Sequence, residues 1–205
     1  MSTIYTWVIN AHNTPLLKKK CSHCDGTRFY CSEKFRTNAQ KKNIDIWLIY
    51  RCVQCSNTYN MAIFSRVRTE SISGDLYRKF MANDPATAWE YAFSYDIRRK
   101  NNVEADPDSV TYDIRHDHPS AEEISNGDCE KLTFKVQYPF EFNLRTSSVI
   151  RVCLGLSSAQ LNQLIAMDAI HVHDKTLQKK YKVRNGDLIR IDREKLKSLY
   201  LGQTS

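Results

Sequence analysis

Glycine and proline are both scarce in this chain, at six and five of 205 residues. So few glycines leave little material for a phosphate-cradling loop, and neither the Walker pattern nor G-x-G-x-x-G occurs. A G-x-S-x-G elbow is missing too, and no paired carboxylates stand at a recognisable catalytic spacing. The chain is therefore read as a non-enzyme with no small-molecule substrate. Long apolar runs are also lacking: the longest, Ile46–Tyr50, falls far short of the roughly 20 residues that span a bilayer. Residues 1–9 carry no basic group ahead of their apolar part and no small-residue cleavage site. The expectation is a cytoplasmic protein without a membrane partner.

What is present is an ordinary globular composition, 41% hydrophobic and 26% charged, with an uneven charge distribution. Residues 1–70 carry a net +7, residues 71–130 a net −7 and residues 131–205 a net +7. This basic, acidic, basic order suggests three parts: 1–70, a connecting region 71–130, and 131–205. Basic ends permit a polyanionic partner. Seven cysteines stand at 21, 24, 31, 52, 55, 129 and 153. With an odd count and no sign of export, metal binding or redox chemistry is a better reading than a disulfide framework.

Cys21-Ser22-His23-Cys24 and Cys52-Val53-Gln54-Cys55 are two C-x-x-C knuckles, followed within two residues by Gly26 and Asn57. Glycine and asparagine tolerate the left-handed backbone that a tight turn around a metal needs. Strand-like runs, Arg28–Phe35 and Ile44–Arg51, lie between the knuckles, with a polar turn at Thr37–Asn43, and a third run, Thr58–Val67, follows. Hairpins of this kind bring four thiolates to one end, which is the arrangement of a zinc ribbon. Cys21, Cys24, Cys52 and Cys55 are the expected ligands. A closed tetrathiolate shell makes the metal structural, with Zn²⁺ as the expected cofactor. A rubredoxin-like iron site is the alternative. Neither knuckle precedes a helical pattern, which argues against a thioredoxin-type pair. Cys31 falls mid-strand and reads as a small apolar residue.

In the middle region, Leu76–Met81 has a helical pattern, and Asn83-Asp84-Pro85 supplies a cap and a first-turn proline for a second helix running to Lys100. Its aromatics, Trp89, Tyr91, Phe93 and Tyr95, read as core. From 101 to 130 there are nine acidic residues and one basic. This stretch reads as a solvated loop with a possible strand at Val110–Arg115. His116, His118 and Cys129 fit no closed metal pattern.

The last region gives strand signals in Lys131–Leu144, a helix over Arg145–Leu154 closed by Gly155, and a second helix capped by Ser157. Ile170–His173 and Val183–Ile191 then read as strands. The fold class expected overall is α+β: a zinc ribbon, a short helical middle, and a helix pair with a β-hairpin followed by a C-terminal helix. Gly155-Leu156-Ser157, Leu164-Ile165, Ile170-His171-Val172 and Val183-Arg184-Asn185-Gly186-Asp187-Leu188-Ile189 resemble the RNA-binding domain first seen in ribosomal protein S-four, over about residues 142–191. That resemblance implies a basic surface that grips structured RNA. Arg145 matches the family's leading basic residue. Ser147, Ser148, Ser158, Asn162 and Gln163 stand at helix positions that are usually charged there, and Asp168 replaces a glycine.

Taken whole, the chain resembles a bacterial family known only as a domain of unknown function, number 1062. The carrying stretches are Cys31–Arg36, Asp45–Cys52, Asn83-Asp84-Pro85 and Ala88-Trp89. The resulting expectation is a zinc-stabilised nucleic-acid-binding protein engaging structured RNA or the ribosome. Phosphate contacts are expected from Lys18, Lys19, Lys20, Arg28, Arg36, Lys41 and Lys42 at one end. At the other they are expected from Arg145, Lys175, Lys179, Lys180, Lys182 and Arg184. The competing expectation is an adaptor that binds a protein partner.

Overall fold

Two separate apolar clusters organise the chain, and each is built on one β-sheet. The computed structural model describes residues 4–120, 123–124 and 131–201. In chain order its strands are β1 (Ile4–Ala11), β2 (Leu16–Lys18), β3 (Arg28–Gln40), β4 (Asn43–Cys52), β5 (Thr58–Arg68), β6 (Glu104–Asp106), β7 (Tyr112–His116), β8 (Lys131–Gln137), β9 (Ile170–Val172), β10 (Lys175–Thr176) and β11 (Leu188–Asp192). The helices are α1 (Gly74–Ala82), α2 (Pro85–Phe93), α3 (Tyr95–Lys100), α4 (Thr146–Leu154), α5 (Ser158–Ala166) and α6 (Arg193–Leu201). The fold is mixed α+β, as expected. It forms two compact units: Met1–Asn10 with Tyr112–Ser205, and Ala11–Thr111. The expected cut at residue 70 falls inside the second of these, and the expected middle region, 71–130, is shared between them.

In the Ala11–Thr111 unit the sheet order is β5-β4-β3-β2-β6, with antiparallel neighbours. Alternation sends Ile44, Ile46, Leu48, Tyr50 and Cys52 of β4 to one buried face. The helices cover that face through Phe80, Ala88 and Ala92, and the Phe80 ring meets those of Phe35, Phe64 and Tyr91. The polar turn expected at Thr37–Asn43 is shorter than predicted. β3 continues to Gln40, and Lys41-Lys42 alone turns the chain, with Lys41 at φ 55°. Backbone pairing carries this exposed polar stretch as strand. Asp84 and Pro85 do start α2, and the Asp84 carboxylate accepts from the Thr87 N–H at 2.9 Å. That helix ends earlier than expected, because Ser94 breaks the run and its hydroxyl caps α3.

The acidic stretch is not one solvated loop. It supplies β6, whose Asp106 pairs with Lys18 and Arg28, and β7. Part of it, including Cys129, lies outside the described residues.

In the other unit the order is β10-β9-β11-β8-β1-β7. β1 runs parallel to β8, with Trp7 opposite Val136. The Trp7 and Phe134 rings stack at 4.3 Å in a core completed by Val149, Ile150, Leu164 and Ile189. Gly155 takes φ 61° as the left-handed C-cap of α4, and Ser157 with Gln160 forms a capping box on α5. The chain turns by 116° between these helices. Asp168 adopts φ 51° where the resemblance has glycine. Among the described residues, no single helix is long and apolar enough to cross a membrane.

One side chain seals the edge of the cysteine-bearing sheet. The Asn101 amide accepts from the Ala62 N–H and donates to the Ala62 carbonyl, both at 2.8 Å, as a further strand residue would. Replacing it leaves both groups unpaired. Asn101→Ala is expected to destabilise this unit by about 1–3 kcal/mol, measured as a lower urea midpoint at unchanged slope.

Candidate metal centre

Each knuckle sits where two strands meet a turn. The first links β2 to β3 and the second links β4 to β5. The two turns are built alike: Cys21 N–H donates to the Gly26 carbonyl and Cys52 N–H to the Asn57 carbonyl, each at 2.8 Å. Register then sets them side by side, with Phe29 opposite Cys52, and Val53 N–H donates to the Arg28 carbonyl at 3.0 Å.

The four sulfurs converge. Cys21 Sγ lies 3.7 Å from Cys55 Sγ, Cys24 Sγ lies 3.6 Å from Cys52 Sγ, and all four are within 4.8 Å of one another. A tetrahedral site with metal–sulfur bonds of about 2.3 Å has sulfur–sulfur edges of about 3.8 Å. None of the four is in a disulfide. The donor set and the spacing both fit a metal ion, and four sulfurs complete its shell without an open position. His23 is exposed and contributes its backbone N–H to Cys21 Sγ at 3.3 Å. Cys31 is outside the cluster, and burial pushes its thiol up to about 11.

Electrostatics shows what a cation would supply. The His23 N–H, assisted by the Cys24 N–H and the Cys55 and Cys24 side chains, outweighs desolvation and holds the Cys21 thiol down at about 6. The Gly26 N–H pulls Cys24 the same way, but desolvation and the sulfurs of Cys55, Cys52 and Cys21 outweigh it. Cys24 is pushed up to about 12. The pocket alone thus favours one thiolate and opposes the next. A divalent ion at the centre would supply the charge that lets Cys24 ionise beside Cys21.

The roles expected for Gly26 and Asn57 are corrected. Neither has a positive φ; the left-handed residue is Ser56, at φ 60°. Gly26 is needed for room, because a Cβ there would lie 2.7 Å from Cys52 Sγ and 3.2 Å from Cys24 Sγ. Asn57 acts through its side chain, whose Nδ2 donates to Cys21 Sγ at 3.8 Å and to Ser22 Oγ at 3.3 Å. Spacing alone identified both positions, but the reason needs the fold.

The expected phosphate-binding residues divide into groups. Lys18 and Arg28 share Asp106, and Lys19 Nζ sits 4.6 Å above the centre of the Tyr59 ring. Lys20, Arg36, Lys41 and Lys42 are exposed. In the other unit Arg145 bridges to Lys182 through the backbone, Thr146 N–H donates to the Tyr181 carbonyl, and Val183 N–H donates to the Leu144 carbonyl. This stitches the loop bearing Lys179, Lys180, Lys182 and Arg184 to the start of α4. Lys175 lies apart on β10. His173 is exposed, and its Nε2 lies 2.9 Å from the buried Asp187 carboxylate, which also accepts from the Arg184 N–H.

Gly26→Ala places a methyl group against two ligands. Metal bound to the purified variant, measured by inductively coupled plasma mass spectrometry, is expected to fall well below one equivalent per chain.

No curated protein and no solved structure gives a match to the chain. The family model described as "Protein of unknown function (DUF1062)" matches residues 37–176. That stretch includes Cys52 and Cys55 and begins after the first knuckle. On this match the chain belongs to the DUF1062 family.

Proposed function

We propose that the chain is a non-enzymatic RNA-binding protein of the bacterial cytoplasm, held together in one unit by a zinc ribbon. Support for zinc comes from the closed four-sulfur set, since Zn²⁺ favours tetrahedral thiolate sites. An iron occupant is separated from zinc by colour and by elemental analysis.

The reading of RNA rests on the second unit. In the unit formed by Met1–Asn10 with Tyr112–Ser205 a helix pair is followed by short strands, which resembles the S-four-like module, and every cation expected there except Lys175 lies in one loop or at the start of α4. The observation that carries the reading is the loop stitched to the start of α4. Arg145, Lys179, Lys180, Lys182 and Arg184 are all exposed, and none takes part in an ion pair among the described residues. Unpaired cations beside a helix N-terminus suit phosphate oxygens.

A second reading has its own observation. The helix pair α4 and α5 carries a single charged side chain, Arg151, among Ser147, Ser148, Ser158, Asn162 and Gln163, and Val152 on α4 is 62% exposed. A protein partner suits that face better than a phosphate backbone. Co-purification of a stoichiometric partner that survives nuclease and high salt would favour an adaptor.

Filter binding to a structured RNA is the direct test. Five phosphate contacts predict an affinity loss of about 10²- to 10³-fold between about 50 and 200 mM salt. Changing Lys179, Lys180 and Lys182 together to alanine should weaken binding and flatten the salt slope. No retention at the lower salt would exclude the reading. Elemental analysis of protein prepared without chelator should return zinc, and a coloured iron protein would replace it.

A further inference from the structure

We propose that the open face of the cysteine-bearing sheet is a stacking platform for single-stranded nucleic acid, centred on Trp47. This rests on the nucleic-acid reading above and adds a second contact surface with a defined ligand class.

Strand β4 has two unlike faces. Ile44, Ile46, Leu48 and Tyr50 face the helices and are buried. The alternate residues Asp45, Trp47, Ile49 and Arg51 therefore point the other way. Register places Arg36 opposite Trp47, Lys34 opposite Ile49 and Tyr30 opposite Arg51 on β3. Ala62, Asn60 and Thr58 flank them on β5.

The chemistry of this face is unusual for one that only meets water. Trp47 and Ile49 are half-buried yet belong to neither apolar cluster, not even as residues packed against one. The Trp47 indole has no ring partner and no hydrogen bond among the described residues. Trp7 and Trp89, by contrast, are engaged: Trp7 is fully buried and Trp89 Nε1 donates to Glu33 at 2.6 Å. Tyr30 is 38% exposed. Lys34, Arg36 and Arg51 are exposed and join no ion pair among the described residues. Two carboxylates lie nearby, Glu33 accepting from Trp89 Nε1 and Asp45 accepting from the Arg66 N–H, and the cations outnumber them.

Three free cations thus surround two aromatic rings over about 13 Å of strand. Cations that track a backbone and rings on which bases stack are what an unpaired strand requires. A duplex hides its base faces and offers this flat surface only phosphates. Charge complementarity selects a polyanion, and the aromatic rings select one with exposed bases.

The test uses the full-length, metal-loaded protein with fluorescein-labelled oligouridylate, oligothymidylate and a matched RNA duplex, read by anisotropy at low salt. The single strands are expected to bind more tightly than the duplex. The two sugars distinguish RNA from DNA as the source of the ligand. Because the other two tryptophans are engaged within the protein, quenching of the intrinsic fluorescence on binding should disappear in Trp47→Phe. Trp47→Ala should weaken single-strand binding by about 5- to 100-fold, with metal content and circular dichroism unchanged, and Trp47→Phe should restore most of it. Changing Lys34, Arg36 and Arg51 together to alanine gives an independent variant that leaves the ring in place; it should lower affinity and salt dependence.

If single strands bind but neither variant alters their affinity, the platform is overturned. Arg36 and Lys34 then serve only as stems covering Trp47. If structured RNA binds through the Lys179–Lys182 loop while oligomers do not bind, this proposal fails and the broader reading stands. If no nucleic acid binds, both fail. A protein partner lost in Trp47→Ala in place of the oligomers also overturns it.

Discussion

The convergence of four sulfurs at one end of two hairpins is the constraint on which the cysteine-bearing unit depends. The knuckles meet only if β3, β4 and β5 pair in the observed register, with Phe29 opposite Cys52 and Arg51 opposite Thr58. A slip of one residue would turn every buried side chain of β4 to the other face. Metal site and sheet therefore specify one another. The thiols oppose joint ionisation on their own, as the opposite shifts of Cys21 and Cys24 indicate. A cation bound there would join sulfur convergence and register in one free-energy change.

Local chemistry was legible from the sequence, and long-range pairing was not. The cysteine spacing located the four-sulfur cluster. Asp84-Pro85, Gly155 and Ser157 marked helix ends correctly, because a cap acts within a single turn. By contrast, the parallel pairing of Ile4 with Thr133 leaves no local period to read, and it is what joins the chain's first strand to its last unit. The polar strands were missed for a related reason. Thr37–Gln40 and Glu104–Asp106 are held by backbone bonds to neighbours and present few buried side chains.

Charge arithmetic was informative in total and misleading in detail. The opposite charges of the acidic region and the basic ends also allow the two to pack together, and Asp106 reaches Lys18 and Arg28 inside one sheet. Lys19 lies over Tyr59. Three cations expected to meet phosphate are thus engaged within the protein. Those left without an ion pair among the described residues include Arg36, Lys41 and Lys42 on one sheet and its turn, and the cations near the first turn of α4 in the other unit, with Lys175 apart on β10. A residue count records charge but not its neighbours.

The unit Ala11–Thr111 is an insertion between two strands of one sheet, β1 and β7. Its ends are fastened together: His12 N–H donates to the Thr111 carbonyl at 2.8 Å, and Asn13 bonds both Ser109 and Thr111. Emerging from the ribosome, this segment is complete before β8 has been translated. The host sheet must wait, its first strand unpaired with β8, until more than a hundred residues later. The four sulfurs can accordingly converge before the host domain closes during synthesis, and the tied ends make the insert a module that could be cut out and rejoined by a short linker.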